Sequence, residues 1–161
     1  MNINWLAILV AAFIPTVIGF LWYNPKVFGN AWMKAAEMTD EKIKNANMLV
    51  IFGVSLILSL MLSIAMNNWS IHQMNVPGVF HGDSSQEATA FLQDFAAKYG
   101  DRYRTFSHGS VHGLIAGFFI ALPILGTNAL FERKGFKYIA VNAGYWIVTL
   151  AIMGGLICAW V

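Results

Sequence analysis

Four apolar runs dominate this chain, approximately Ile3–Tyr23, Met48–Met66, Val111–Leu130 and Tyr138–Val161, and none carries Asp, Glu, Lys or Arg between its ends. Crossing a hydrocarbon layer about 30 Å thick takes about 20 residues of α-helix, and each run supplies them. A soluble domain of 161 residues can bury one or two helices that are apolar all round, but not four. Hydrophobic residues make up 58% of the chain and charged residues 11%, against soluble averages of about half and about a quarter. The expected fold is therefore all-α: a polytopic membrane protein whose residues 1–161 form one domain with four transmembrane helices.

Aromatic placement fits the same reading. Trp5 and Trp22 bracket the first run, and Trp69, Tyr138 and Trp160 lie near other run ends, where amphipathic rings favour the headgroup layer. Tyr145 and Trp146 sit deeper and are expected to pack between helices or on lipid. The first run has no basic residue ahead of it and contains Pro15, so it is expected to stay as a membrane helix rather than leave as a signal peptide. Pro15 is expected to kink that helix. The lone Cys158 has no intrachain partner and reads as a small hydrophobe.

The connections are residues 24–47, 67–110 and 131–137. Seven of the Lys and Arg residues occupy the first and third, among them Lys26, Lys34, Arg133 and Lys137; the middle one holds Lys98, Arg102 and Arg104. Basic residues near helix ends favour the cytoplasm, so both termini and the middle connection are expected outside. In the first connection Asn24-Pro25 should end the first helix, and Thr39 can cap a helix starting at Asp40-Glu41. Apolar spacing through Ile43, Asn47 and Val50 extends that helix without a break into the second run, to about Asn67. In the middle connection Ser84 and Glu87 have capping-box spacing, and Ala88, Phe91, Leu92, Phe95 and Tyr99 form one stripe. A short amphipathic helix is expected over 85–99, with Gly100 as its stop and residues 70–83 as an irregular lead-in.

Gly109, Gly113 and Gly117 recur every fourth residue in the third run. Such a seam lets another backbone approach closely, within the chain or in a second copy. Gly154-Gly155 offers a similar surface in the fourth helix. Asn67 and Asn68 end the second run, while His108 and His112 stand four apart at the outer end of the third. These four form a candidate polar cluster, with His72 and His81 supplied by the outer loop. Imidazole pairs bind transition metals or relay protons, and they also serve as hydrogen-bonding groups in a packed interior. Asn142, Ser59 and Ser63 read as interhelical hydrogen-bonding groups. No phosphate loop, redox cysteine pair or serine elbow is present, so no catalytic residue is assigned and an enzyme is not expected. A net charge of +2 without a basic stripe gives no reason to expect nucleic acid.

Asn4-Trp5-Leu6-Ala7, Gly19-Phe20-Leu21-Trp22-Tyr23 and Phe28-Gly29-Asn30-Ala31-Trp32, with His112-Gly113, the turn from Asn128 to Lys134, Asn142 and Gly144, resemble a family of small bacterial membrane proteins known only as a domain of unknown function. The resemblance covers nearly the whole chain. It implies a four-helix unit in the bacterial cytoplasmic (inner) membrane and brings no substrate, cofactor or catalytic residue with it. The histidine-containing outer loop exceeds that family's compact pattern, leaving room for an added role of residues 70–105. The expected function is a noncatalytic bundle in contact with membrane lipids, an accessory subunit that binds another membrane protein or itself as a homo-oligomer. No cofactor is required by that reading. The alternatives are a small-solute transporter or proton-linked channel, and a metal- or haem-binding protein using His108 and His112.

Overall fold

The computed structural model describes residues 3–161. Among them the chain is all-helical: α1 (Trp5–Ala11), α2 (Ile14–Trp22), α3 (Gly29–Ala36), α4 (Asp40–Lys44), α5 (Met48–Ser70), α6 (Val76–Val79), α7 (Gln86–Tyr99), α8 (Phe106–Ala116), α9 (Leu122–Phe131) and α10 (Phe136–Ala159). A 3-10 turn at His72–Asn75 precedes α6, and a π-helical segment at Gly117–Ala121 joins α8 to α9. Among the described residues four stretches are long and apolar enough to cross a membrane: Trp5–Trp22, Met48–Ser70, Phe106–Phe131 and Phe136–Ala159.

Two of these stretches are not straight, and each irregularity has a proline four residues beyond the strained carbonyl. Pro15 cannot donate to Ala11 and its ring crowds that carbonyl, so α1 stops there and α2 begins at Ile14. The Tyr145 hydroxyl donates to the Pro15 carbonyl at 2.7 Å, tying the bend to α10. Pro123 does the same to the carbonyl of Phe119 in the other stretch, and the backbone widens into the π segment. The apolar run alone gave no sign of that second irregularity; Pro123 was its signal.

The last helix is the axis of the bundle. In its most apolar window 56% of residues are buried, against 11% for α5. Gly109, Gly113 and Gly117 all face it: a Cβ on Gly109 would strike the Gly154 carbonyl, one on Gly113 the backbone of Leu150 and Ala151, and one on Gly117 the Cα of Ile147 at 2.6 Å. The glycine seam is thus an intramolecular contact. Met66, Ala116, Leu150, Met153 and Ile157 form the core around it. Ser63 donates to the Ile8 carbonyl at 2.7 Å, linking α5 to α1, and Tyr23 donates to Asn142 Oδ1 at 3.0 Å.

The bundle has two distinct ends. At the basic end, Lys134 of the third connection pairs with Glu37 of the first at 3.1 Å. At the terminal end, Asn4 Nδ2 donates to the Trp160 carbonyl at 3.4 Å, and Arg104 of the long middle connection donates to the same carbonyl at 3.0 Å. Two local expectations need correction. The second long helix does not run on from Asp40: α4 ends at Lys44, and Asn47 accepts from the Val50 N–H to start α5 afresh. A side chain that caps so well favours a new start over continuation. In the middle connection the cap of α7 is Ser85, not Ser84; its hydroxyl accepts from the Ala88 N–H. Asp83 accepts from the Ser85 N–H at 2.9 Å. That turn sets Ser85 in the extended conformation a cap needs, and the same bond holds the Asp83 carboxyl below its usual range.

A candidate metal centre of three histidines

His108 and His112 lie one turn apart on α8, so their rings project from one face of the helix. Each precedes a glycine of the seam, and successive residues on a helix point about 100° apart. The seam therefore turns toward α10 while the imidazoles emerge beside it, facing the end of α5. Thr105 caps α8 by accepting from the His108 N–H at 3.2 Å. The indole of Trp69, in the last turn of α5, donates to the His112 carbonyl at 3.2 Å. One residue beyond α5, Ile71 leaves the helix in an extended conformation and His72 opens the 3-10 turn. Its ring is thereby delivered to the other two.

The three imidazoles meet through the same atom. His112 Nε2 lies 3.1 Å from His72 Nε2 and 3.2 Å from His108 Nε2. The rings stand edge to face, with centroids 4.6–5.1 Å apart. An imidazole nitrogen carries either one hydrogen or one in-plane lone pair. His112 Nε2 can therefore make one good hydrogen bond with these two neighbours, not two. A cation placed among the three nitrogens uses all three lone pairs at once. Four-coordinate zinc with Zn–N bonds of about 2.0–2.1 Å sets its nitrogens about 3.3–3.4 Å apart, and the two short separations here approach that edge length.

The surrounding segment is tied down by its own backbone. Gln73, buried next to His72, donates from Nε2 to the carbonyls of Tyr99 and Arg102 at 2.7 and 2.6 Å. Arg104 donates to the carbonyls of Cys158 and Trp160 at 2.7 and 3.0 Å, a cation on the exposed carbonyls at the C-terminus of α10. Tyr103 stacks on His108 with ring centroids 5.4 Å apart. Both ends of the middle connection are thus fixed beside the histidines. Cys158 is a free thiol among the described residues and donates to the Tyr103 carbonyl.

Of the four residues expected to cluster, the structure brings together His108 and His112. Asn67 and Asn68 lie at the same end of α5, but Asn67 Nδ2 donates to Asn68 Oδ1 and the Asn68 carbonyl accepts from Asn75. Neither amide bonds to a histidine. Of the two loop histidines, His72 joins the group and His81 does not; among the described residues no other His, Cys, Asp or Glu belongs to it.

A family model described as a protein of unknown function (DUF1761) matches residues 6–158. The chain belongs to that family. No curated protein and no solved structure matches it. The matched stretch runs from before α2 to the last turn of α10 and so includes the positions of all three histidines and of the glycine seam.

Proposed function

We propose that this protein is a noncatalytic four-helix membrane bundle that holds a divalent transition metal on its outer face, through Nε2 of His72, His108 and His112. The convergence of three Nε2 atoms carries the reading. Three neutral imidazoles suit zinc, copper, nickel or iron(II), and do not suit magnesium or calcium, which take oxygen ligands. The near-tetrahedral edge lengths favour zinc. A haem is a poorer fit, because its plane would have to enter between axial nitrogens that here lie 3.1–3.2 Å apart.

Membrane insertion is supported by the four apolar helices and by the uncovered side chains of α5, including Leu49, Phe52, Ile57 and Leu58, which lipid chains would cover. The excess of Lys and Arg at the basic end supports a cytoplasmic position for that end and an outer one for the histidines, the orientation this reading takes in a bacterial inner membrane. Self-association, the other reading, would have to use another surface than the glycine seam, which is spent inside the chain. A transport path finds no support in the recess of about 460 Å³ beside the π segment. Its walls are apolar side chains such as Leu62, Met66, Ile120 and Leu150.

The test is zinc binding by the purified, metal-stripped chain in detergent. One zinc per chain is expected. His108→Ala, His112→Ala and His72→Ala should each weaken binding by about 10- to 100-fold or more, and His81→Ala should leave it unchanged. Equal binding by wild type and all three ligand variants would reject the site.

A further inference from the structure

Beside the three histidines lies a cavity of about 340 Å³, and His72 forms part of its wall. Its other walls include Phe95 and Tyr99 of α7, then Arg102 and Tyr103. The Arg102 guanidinium carbon sits 5.1 Å from the Tyr103 ring centroid and 5.7 Å from that of Tyr99. Such stacking holds the guanidinium in place without using up its charge. The two ion pairs among the described residues are Lys98–Asp94 and Lys134–Glu37; Arg102 belongs to neither, although Asp101 is its chain neighbour. Its loop is fixed from behind by the two Gln73 hydrogen bonds.

The metal reading makes this cavity chemically specific. Three neutral nitrogens leave the +2 charge of the ion uncompensated, and four-coordinate zinc takes one more ligand. Among the described residues no carboxylate or thiolate belongs to the group. A dication on one side of the cavity and a guanidinium on another call for an anion, and the planar, forked guanidinium matches a carboxylate. Phe95, Tyr99 and Tyr103 call for a flat or apolar body attached to it. A volume near 300 Å³ is the lower end of the range for small-molecule sites, so the ligand is small.

We infer that the cavity binds a small carboxylate with an apolar body, one oxygen on the metal held by His72, His108 and His112 and the other facing Arg102. The inference rests on the metal reading, and the experiment separates the two. Full-length protein in detergent is loaded with Co²⁺, whose visible d–d bands report its ligands, and is then titrated with sodium benzoate or sodium acetate. Co²⁺ bands that appear in wild type and are lost in His112→Ala establish the metal site before any carboxylate is added. If wild type and His112→Ala give the same spectrum, the metal reading fails and this inference falls with it.

With the metal in place, benzoate is expected to change the bands saturably and to bind more tightly than acetate. Arg102→Gln is expected to weaken benzoate at least tenfold while Co²⁺ affinity stays within twofold, and Arg102→Lys to recover part of the loss. The inference is overturned if benzoate leaves the bands unchanged, if acetate binds as tightly as benzoate, or if Arg102→Gln binds benzoate as wild type does.

Discussion

Zinc added to the metal-stripped protein in detergent is expected to raise its midpoint of thermal unfolding by about 5–10 °C. A ligand that binds only the native state stabilises it by about 2.7 kcal/mol at a hundred times its Kd. In a chain of this size each kcal/mol moves the midpoint by about 2–4 °C. The effect is strong here because the ligands are far apart in sequence: His72 and His112 are separated by 40 residues, and the unfolded chain has to close that loop to bind the same ion. His108 and His112 share one helix and would retain a weak two-nitrogen site without His72. His72→Ala should therefore lose most of the thermal shift while keeping some affinity, whereas His112→Ala, central to both short contacts, should lose both. Zinc should also slow proteolysis within residues 72–105, since the metal pins the start of the middle connection to the foot of α8. A thermal shift of the same size in His72→Ala would show that the ion binds elsewhere.

Gly113→Ala is expected to destabilise the bundle by about 3 kcal/mol, the upper end of the usual cost of overpacking. The added methyl group meets the Leu150 carbonyl group and the Ala151 Cα, the latter at 2.6 Å. Those are backbone atoms of a helix, which cannot rotate aside as a side chain would. Relief requires α8 and α10 to separate along the seam, and Gly109 and Gly117 would lose their contacts too. Gly53→Ala is the control: beyond its chain neighbours and its own helix backbone nothing lies within 4 Å of a Cβ there, and replacing a mid-helix glycine with alanine should gain about 0.5–1 kcal/mol. Because His112 adjoins Gly113, the same shift of α8 should loosen the metal site, so Gly113→Ala should lower both the unfolding midpoint and zinc affinity. Unfolding of Gly113→Ala at the wild-type midpoint would contradict the close approach of the two helices.

The long elements were legible because uncharged apolar runs have few ways to satisfy their backbone groups other than as helices. Breaks within them were legible only where a breaker was weighed. Pro15 marks its bend; Pro123 lies in an equally apolar run whose composition hides the π segment, and Asn47 fits a helical pattern by spacing although its side chain caps a new helix by accepting from the Val50 N–H. The glycine spacing identified a seam in α8 but carried no information on which surface it met. That depended on Gly154-Gly155 and Leu150 lying at matching heights on α10. His108 and His112 were legible as a pair through their spacing of four. The choice of His72 over His81 as the third member was not, because it rests on the one-residue exit from α5 and the 3-10 turn that follows. Arg102 and Tyr103 were equally hidden: they read as ordinary boundary residues before α8, and it takes the Gln73 and Arg104 bonds together to hold that loop beside the histidines.

The central claim is that three imidazole nitrogens share one metal ion. X-ray absorption at the zinc edge of the loaded, detergent-solubilised protein tests it most directly. The expected spectrum shows nitrogen or oxygen ligands at about 2.0–2.1 Å, with outer-shell scattering from three imidazole rings that falls to two in His72→Ala. A spectrum without imidazole scattering, or one unchanged by His72→Ala and His112→Ala, would contradict it.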